Sequence, residues 1–233
     1  MNDCRVVKLA EKVLNTASLK KKYIAKPVQT DWQPDITISR QPGTGGAIVA
    51  KKVAEKLGWV FYDKKLITKI AQEIGISESL LKKIDGKPRK ALHDFMHSLL
   101  NPNYISDIKY IKTLRRIITR IGKNGDVVIV GRGACCIIPH NKALHVRITL
   151  PEADRINNMI KYRHLSRIEA VEFLNKITKR RKRFLKQYFG KDIDDPSQYD
   201  TIINLKDISI NKATNLVIDA FKNKFPRKKL NIK

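Results

Sequence analysis

A short apolar strand, Ile36 to Ser39, runs into the turn Arg40-Gln41-Pro42-Gly43-Thr44-Gly45-Gly46 and then into a helix, Ala47 to Leu57. No other feature narrows the choice of folds as much. The glycines let successive backbone N–H groups turn towards one point, and the helix that follows adds the positive end of its dipole. Val49, Ala50, Val53, Ala54 and Leu57 fall on one helix face, and Gly58 stops the helix. A strand that turns tightly into an amphipathic helix is the first half of a βαβ unit, so a parallel sheet covered by helices is expected.

The rest of the chain repeats that alternation. Trp59 to Tyr62 reads as a second strand, Lys64 to Ile74 as a helix ended by Gly75, and Ser77 as the cap of a short helix to Asp85. Gly86 to Tyr104 is irregular and polar. Ser106 to Ile121 has Ile108, Ile111, Leu114, Ile117, Ile118 and Ile121 at helical spacing, with Gly122 expected to end it. Val127 to Val130 is a continuous apolar run, suited to a strand buried on both faces. Leu144 to Leu150 is a further strand. Pro151 and Glu152 start a helix to about His164, and Ser166 with Glu169 forms a capping box for a strongly basic helix. After a loop from Gly190 to Tyr199 come a strand, Thr201 to Leu205, and a closing helix, Asn211 to Lys224. Five strands separated by helices predict right-handed crossovers and one parallel sheet.

Outside that body, residues 1–34 read as an extension. Val6, Leu9, Ala10, Val13 and Leu14 recur at helical spacing, and Pro27 and Pro34 bracket a linker. A helix docked on the core is favoured over a basic membrane-surface helix. Residues 226–233 form a basic tail. No apolar run approaches the roughly 20 residues of a membrane span, and the first apolar stretch is broken by Lys8, Glu11 and Lys12. A soluble, cytoplasmic chain is the expectation. Cys4, Cys135 and Cys136 make neither a disulfide framework nor a Cys-x-x-Cys metal pattern; the last two are expected as small buried residues.

Lys and Arg number 48 against 22 Asp and Glu, a formal charge of +26. That balance favours polyanionic partners, namely nucleoside phosphates, nucleic acid or an anionic membrane, although solvated lysine faces would produce it too.

Three clusters join the glycine turn. The turn itself departs from G-x-x-x-x-G-K-[ST]: Arg40 stands at the first glycine, Gly46 at the lysine and Ala47 at the hydroxyl residue. Gly43, Thr44, Gly45 and Gly46 remain candidates to wrap phosphates, with Arg40 and Thr44 as the nearby sources of charge and hydroxyl; a plain tight turn is the alternative. Asp63 ends the second strand, at the sheet edge where ligands of open α/β folds sit, or else caps the next helix. Gly131-Arg132-Gly133 follows the buried strand and suits bidentate phosphate binding, or else places a surface arginine. Lys179, Arg180, Arg181, Lys182 and Arg183, after Arg155 and Arg163, suit a helical pair closing over phosphates, a solvated face or an RNA-binding strip.

Taken together, Ile36 to Gly46, Phe61 to Ile67, Val128 to Ala134, Leu144 to Ile148, the Lys-Arg-Arg of the basic helix and Pro196 to Asn204 resemble the cytidylate kinase-like family. That family is a branch of the nucleoside monophosphate kinases among P-loop NTPases. The resemblance implies a three-layer α/β sandwich with a five-stranded parallel sheet over residues 35–225. It also implies a helical monophosphate-binding insert at about 76–123 and a helical lid at about 152–195. The implied reaction is phosphoryl transfer from ATP with Mg²⁺ to CMP, dCMP or a similar acceptor. Gly43 to Gly46 would then hold ATP, Asp63, Arg132 and Arg163 would face the monophosphate, and Arg40, Arg180 and Arg181 would be catalytic. No protein metal ligand is assigned. Ala47, Ile48, Thr178 and Gly86 replace polar residues of the family pattern. A nucleotide-binding pseudokinase and a basic nucleic-acid-binding protein on the same scaffold are the alternatives.

Overall fold

The computed structural model describes residues 32–63 and 107–230. The expected N-terminal helix, the elements between Lys64 and Tyr104, and most of the insert lie outside the described residues.

Five strands pair in parallel: β1 (Asp35–Arg40), β2 (Val60–Tyr62), β3 (Val127–Val130), β4 (Ala143–Thr149) and β5 (Thr201–Asn204), in the order β2-β3-β1-β4-β5. Helix α1 (Gly46–Leu57) follows β1, and α2 (Asp107–Asn124) precedes β3. Next come a one-turn helix α3 (Ala134–Ile137), the pair α4 (Glu152–Arg163) and α5 (Arg167–Phe189), and α6 (Ile210–Lys224).

Strand alternation decides which side each helix covers. Ile36 and Ile38 of β1, with Leu144, Val146 and Ile148 of β4, face α1 and α6 and build one core with Val49, Val53, Val217 and Phe221. The opposite face packs Val127, Ile129 and Tyr62 against Leu114, Ile117, Ile118 and Ile121 of α2. Ile156, Met159, Ala170 and Leu174 give the α4–α5 hairpin a small core of its own. Helices on both faces of a parallel sheet make the expected three-layer sandwich.

Two local expectations are corrected. Gly122 does not end α2, which continues to Asn124; Gly125, at φ +68°, follows it. Gly122 is small because the helix lies close to the sheet: a Cβ there would stand 2.9 Å from Trp32 and 3.0 Å from Asp35 Oδ2. Cys135 and Cys136 are only partly buried and sit on α3, an element without enough residues for a readable period.

Polar pairs cross between β1 and β4 on the α2 side. Thr37 Oγ1 and His145 Nδ1 share a hydrogen bond of 2.6 Å, and Arg147 Nη1 donates to Ser39 Oγ at 2.8 Å. Asp200 accepts from His145 N–H at 2.7 Å and pairs with Lys224 at 2.6 Å. Burial first, and His140 beside it, push the His145 pKa from 6.5 down to about 4. The unfolded chain therefore takes up a proton below its own value that the folded chain refuses. Stability is full near neutrality and falls as pH drops from 6.5 towards 4. By about pH 5.5 the loss is ~1 kcal/mol, read as a lower urea midpoint than at about pH 7.5. His145→Asn should flatten that slope; an unchanged slope would rule His145 out as its source.

Candidate active site

The site forms where β1 and β3 end. After Arg40 the chain turns sharply: Gln41 N–H donates to Ile148 carbonyl at 3.0 Å, and Gln41 Oε1 accepts from Leu150 N–H at 3.1 Å. Gly43 and Gly45 take φ +84° and +76°, which side chains disfavour. Thr44 is 4% exposed, and its hydroxyl donates to Gln41 carbonyl at 3.0 Å while accepting from Gly46 N–H at 3.1 Å. These two bonds shape the loop and use the hydroxyl proton and one of its two lone pairs. Helix α1 is preceded by Gly45 at its N-cap position, with no side-chain cap and no acid in its first turn. Its positive end has no anion from the protein within that turn.

Beside this loop, Gly131, Arg132 and Gly133 all lie in the left-handed region, at φ +75°, +57° and +70°. For arginine that is a sparsely populated conformation, and such strain concentrates at functional positions. Three backbone bonds hold the turn: Gly131 N–H to Ile38 carbonyl at 3.1 Å, Ala134 N–H to Gly131 carbonyl at 3.1 Å across Arg132, and Cys136 N–H to Gly133 carbonyl at 2.8 Å. The positive φ disfavours a side chain at either glycine; a Cβ on Gly131 would also displace the end of Arg40, and one on Gly133 would stand 2.6 Å from the Phe189 ring.

Between the strand ends and α5 lies an open cleft enclosing ≈ 770 Å³ including its mouth. Arg40, Arg132, Arg180 and Arg181 line it, with Phe184 and Cys135. Burial, then the charge of Arg132, bring the Arg40 pKa from 12.5 down to about 10, partly countered by Asp63. Arg40 is therefore charged at neutral pH. Arg181 Nη1 donates to the Arg40 carbonyl at 2.7 Å. Asp194 ties the same helix to the sheet, meeting Arg147 at 2.8 Å and Lys182 at 2.6 Å.

The predicted residues are thus partly brought together. Arg40, Arg132, Arg180 and Arg181 share the cleft, and Asp63 acts electrostatically on Arg40. Gly43 to Gly46 adjoin the cleft through Arg40 without lining it. Gly43 is instead covered by the helical pair: Asn158 Nδ2 donates to its carbonyl at 2.8 Å, and a Cβ would meet Arg155 and Leu174. Arg163 is exposed, its guanidinium 5.1 Å from the Phe173 ring centre. Sequence reasoning missed Arg147, Asp194 and the cleft position of Cys135. The alternation that puts Ser39 and Arg147 on one sheet face was a usable signal for the first.

Among the described residues, no three His, Cys, Asp or Glu side chains converge as a metal site. The described residues therefore offer no carboxylate, imidazole or thiolate set of their own for magnesium. A magnesium ion would arrive as part of a nucleotide and keep phosphate and water oxygens as ligands.

A sequence profile described as the cytidylate kinase-like family matches residues 35–207. The cytidylate kinase of Desulfurococcus amylolyticus is 29% identical over 184 residues, covering 78% of this chain and 89% of that protein. The cytidylate kinase of Methanococcus aeolicus is 28% identical over 203 residues, covering 81% and 98%. In fold, the chain is similar to an uncharacterized protein from Eubacterium ventriosum, with a TM-score of 0.61, 21% identity and coverage of 82% and 99%. No described helix is long and apolar enough to cross a membrane.

Proposed function

The chain belongs to the cytidylate kinase-like family, and from that premise we propose that it transfers the γ-phosphoryl of ATP to a nucleoside monophosphate of the CMP or dCMP kind. One observation carries this reading: four arginines converge in a cleft beside a helix N-terminus that has no side-chain cap. Phosphoryl transfer asks for positioning and charge neutralisation more than for covalent chemistry, and that arrangement offers both.

On this reading, the Gly43 to Gly46 turn and the start of α1 receive the ATP phosphates through backbone N–H groups, with the Gly46 N–H exchanging Thr44 Oγ1 for phosphate and the helical pair moving off Gly43. Arg132, aimed by its left-handed turn, takes the acceptor phosphate, with Asp63 nearby. Arg40, between the two, neutralises charge on the transferred group. Helices α4 and α5 act as the lid: Arg180 and Arg181 already line the cleft, and Arg163 would have to leave Phe173 to join them. The excess of positive charge is read as serving anionic small substrates; the relatives lend a nucleic-acid partner no support.

A turnover assay with magnesium, ATP and a panel of CMP, dCMP, UMP and AMP tests the proposal. ADP formation with a cytidine acceptor is expected; no ADP with any acceptor would end it. Gly46 and Ala47, in the lysine and hydroxyl positions of the loop, favour a second reading, a nucleotide-binding chain without turnover. Tight nucleotide binding without product in the same assay would select it.

A further inference from the structure

Cys135 and Cys136 are absorbed by neither the fold nor the proposed chemistry. They occupy the middle of α3, the single turn that follows Gly131-Arg132-Gly133. Their sulfurs lie 3.9 Å apart, and Cys135 lines the arginine cleft. Cys136 is reachable: it is partly exposed, with Sγ 3.7 Å from Gln198 Oε1. The backbone N–H of Cys136 makes one of the three bonds that hold the left-handed turn, the one to the Gly133 carbonyl. The thiols are thus adjacent to each other, adjacent to the cleft, and mechanically linked to Arg132.

We propose that Cys135 and Cys136 form a reversible vicinal disulfide on exposure to a peroxide, and that this bond closes the arginine cleft to phosphate ligands. Cys136 is the attacking sulfur. A hydrogen bond from Cys135, together with Lys191 and Arg115, favours its thiolate, whereas the same hydrogen bond and burial keep Cys135 protonated. The Cys136 thiolate attacks the peroxide, the O–O bond breaks, and Cys136 becomes a sulfenic acid as one oxygen leaves as hydroxide. Cys135 then gives up its proton, attacks the Cys136 sulfur and expels the second oxygen as water. Two thiols and one peroxide become one disulfide and two waters, with two electrons passing from sulfur to oxygen.

A bond of about 2.05 Å cannot form across the present separation, so α3 must unwind. A single turn has little to lose, but unwinding breaks the Cys136 N–H to Gly133 bond, moves Cys135 in the cleft wall and strains the remaining Ala134 N–H to Gly131 bond that spans Arg132. Adjacent Cα atoms stand about 3.8 Å apart, below the usual disulfide range of about 4.4–6.8 Å, so the bond is strained and readily reduced.

The effect on the cleft rests on the proposed kinase function; the disulfide itself does not. The test uses the full chain with Cys4→Ser, so that no other thiol can pair, treated with equimolar hydrogen peroxide. The intact mass should fall by about 2 Da, map to the peptide holding Cys135 and Cys136, and return with dithiothreitol. Turnover with CMP should fall at least roughly tenfold in step with that mass and recover with it. Adding Cys136→Ser should preserve turnover and abolish the mass loss. Oxygen addition without the 2 Da loss would overturn the disulfide. Full disulfide with unchanged turnover would overturn its effect on the cleft. If the reduced chain turns over no acceptor, the kinase reading fails and the mass result still decides the disulfide.

Discussion

Arg40→Ala should lower kcat by roughly a thousandfold, the scale on which one arginine acts in phosphoryl transfer, while leaving the melting temperature within a few degrees of the parent. The second half of that expectation makes the first informative. Arg40 is an expensive residue for this fold. Arg40 is partly buried beside Arg132, and desolvation with that neighbouring charge holds its pKa near 10 instead of 12.5. Carrying the charge at neutral pH therefore opposes folding, by at most roughly 3 kcal/mol and less with water in the open cleft, a cost absent from the alanine variant. The lost packing of the arginine stem acts the other way, so the two largely cancel. A residue kept charged against such a penalty, at the mouth of a cleft, fits a functional role better than a structural one. Arg40→Lys should recover part of the activity, since it restores the charge without the two-pronged donor. Steady-state turnover with CMP beside calorimetric melting decides the matter. Activity lost together with a large drop in melting temperature would reassign Arg40 to the scaffold.

The strands and helices of the described regions were legible because each carries its own period: β3 is apolar throughout, α2 repeats its isoleucines at helical spacing, and Ser166 with Glu169 marks the start of α5. The glycine turn was legible as a turn. What was not legible came from contacts between residues far apart in the chain. Gly122 looks like a helix stop in isolation, yet it is the point where α2 meets Trp32 and Asp35. Thr44 looks like a free hydroxyl until Gln41 and Gly46 are seen to occupy it. The Ser39–Arg147 and Thr37–His145 pairs join residues 108 positions apart, which no local window reveals. At the site, the sequence pointed to the arginines as a group but could not show that Arg163 stacks on Phe173 while Arg180 and Arg181 face the cleft.

Restoring the usual lysine of the phosphate loop should harm this protein. Gly46 stands where the familiar pattern has lysine, so Gly46→Lys looks like a repair. The space says otherwise. A Cβ at Gly46 would lie 2.8 Å from Arg40 Cβ and 3.1 Å from Ile148 Cβ. Both are stem atoms fixed to neighbouring strands, not the ends of flexible side chains, so they cannot swing aside. Overpacking of this kind costs roughly 2–3 kcal/mol, and for a chain of this size the melting temperature should drop by roughly 5–10 °C. The Cβ alone causes the conflict, so Gly46→Ala should lose about as much as Gly46→Lys. Turnover should fall in both, because pushing on Arg40 Cβ displaces the guanidinium that lines the cleft. A Gly46→Lys protein with unchanged melting and faster turnover would show that position 46 is merely a lost lysine. The expected pair of losses would fit the proposal that Arg40, at the end of β1, supplies the cation of this loop, since a side chain at position 46 meets the Arg40 stem.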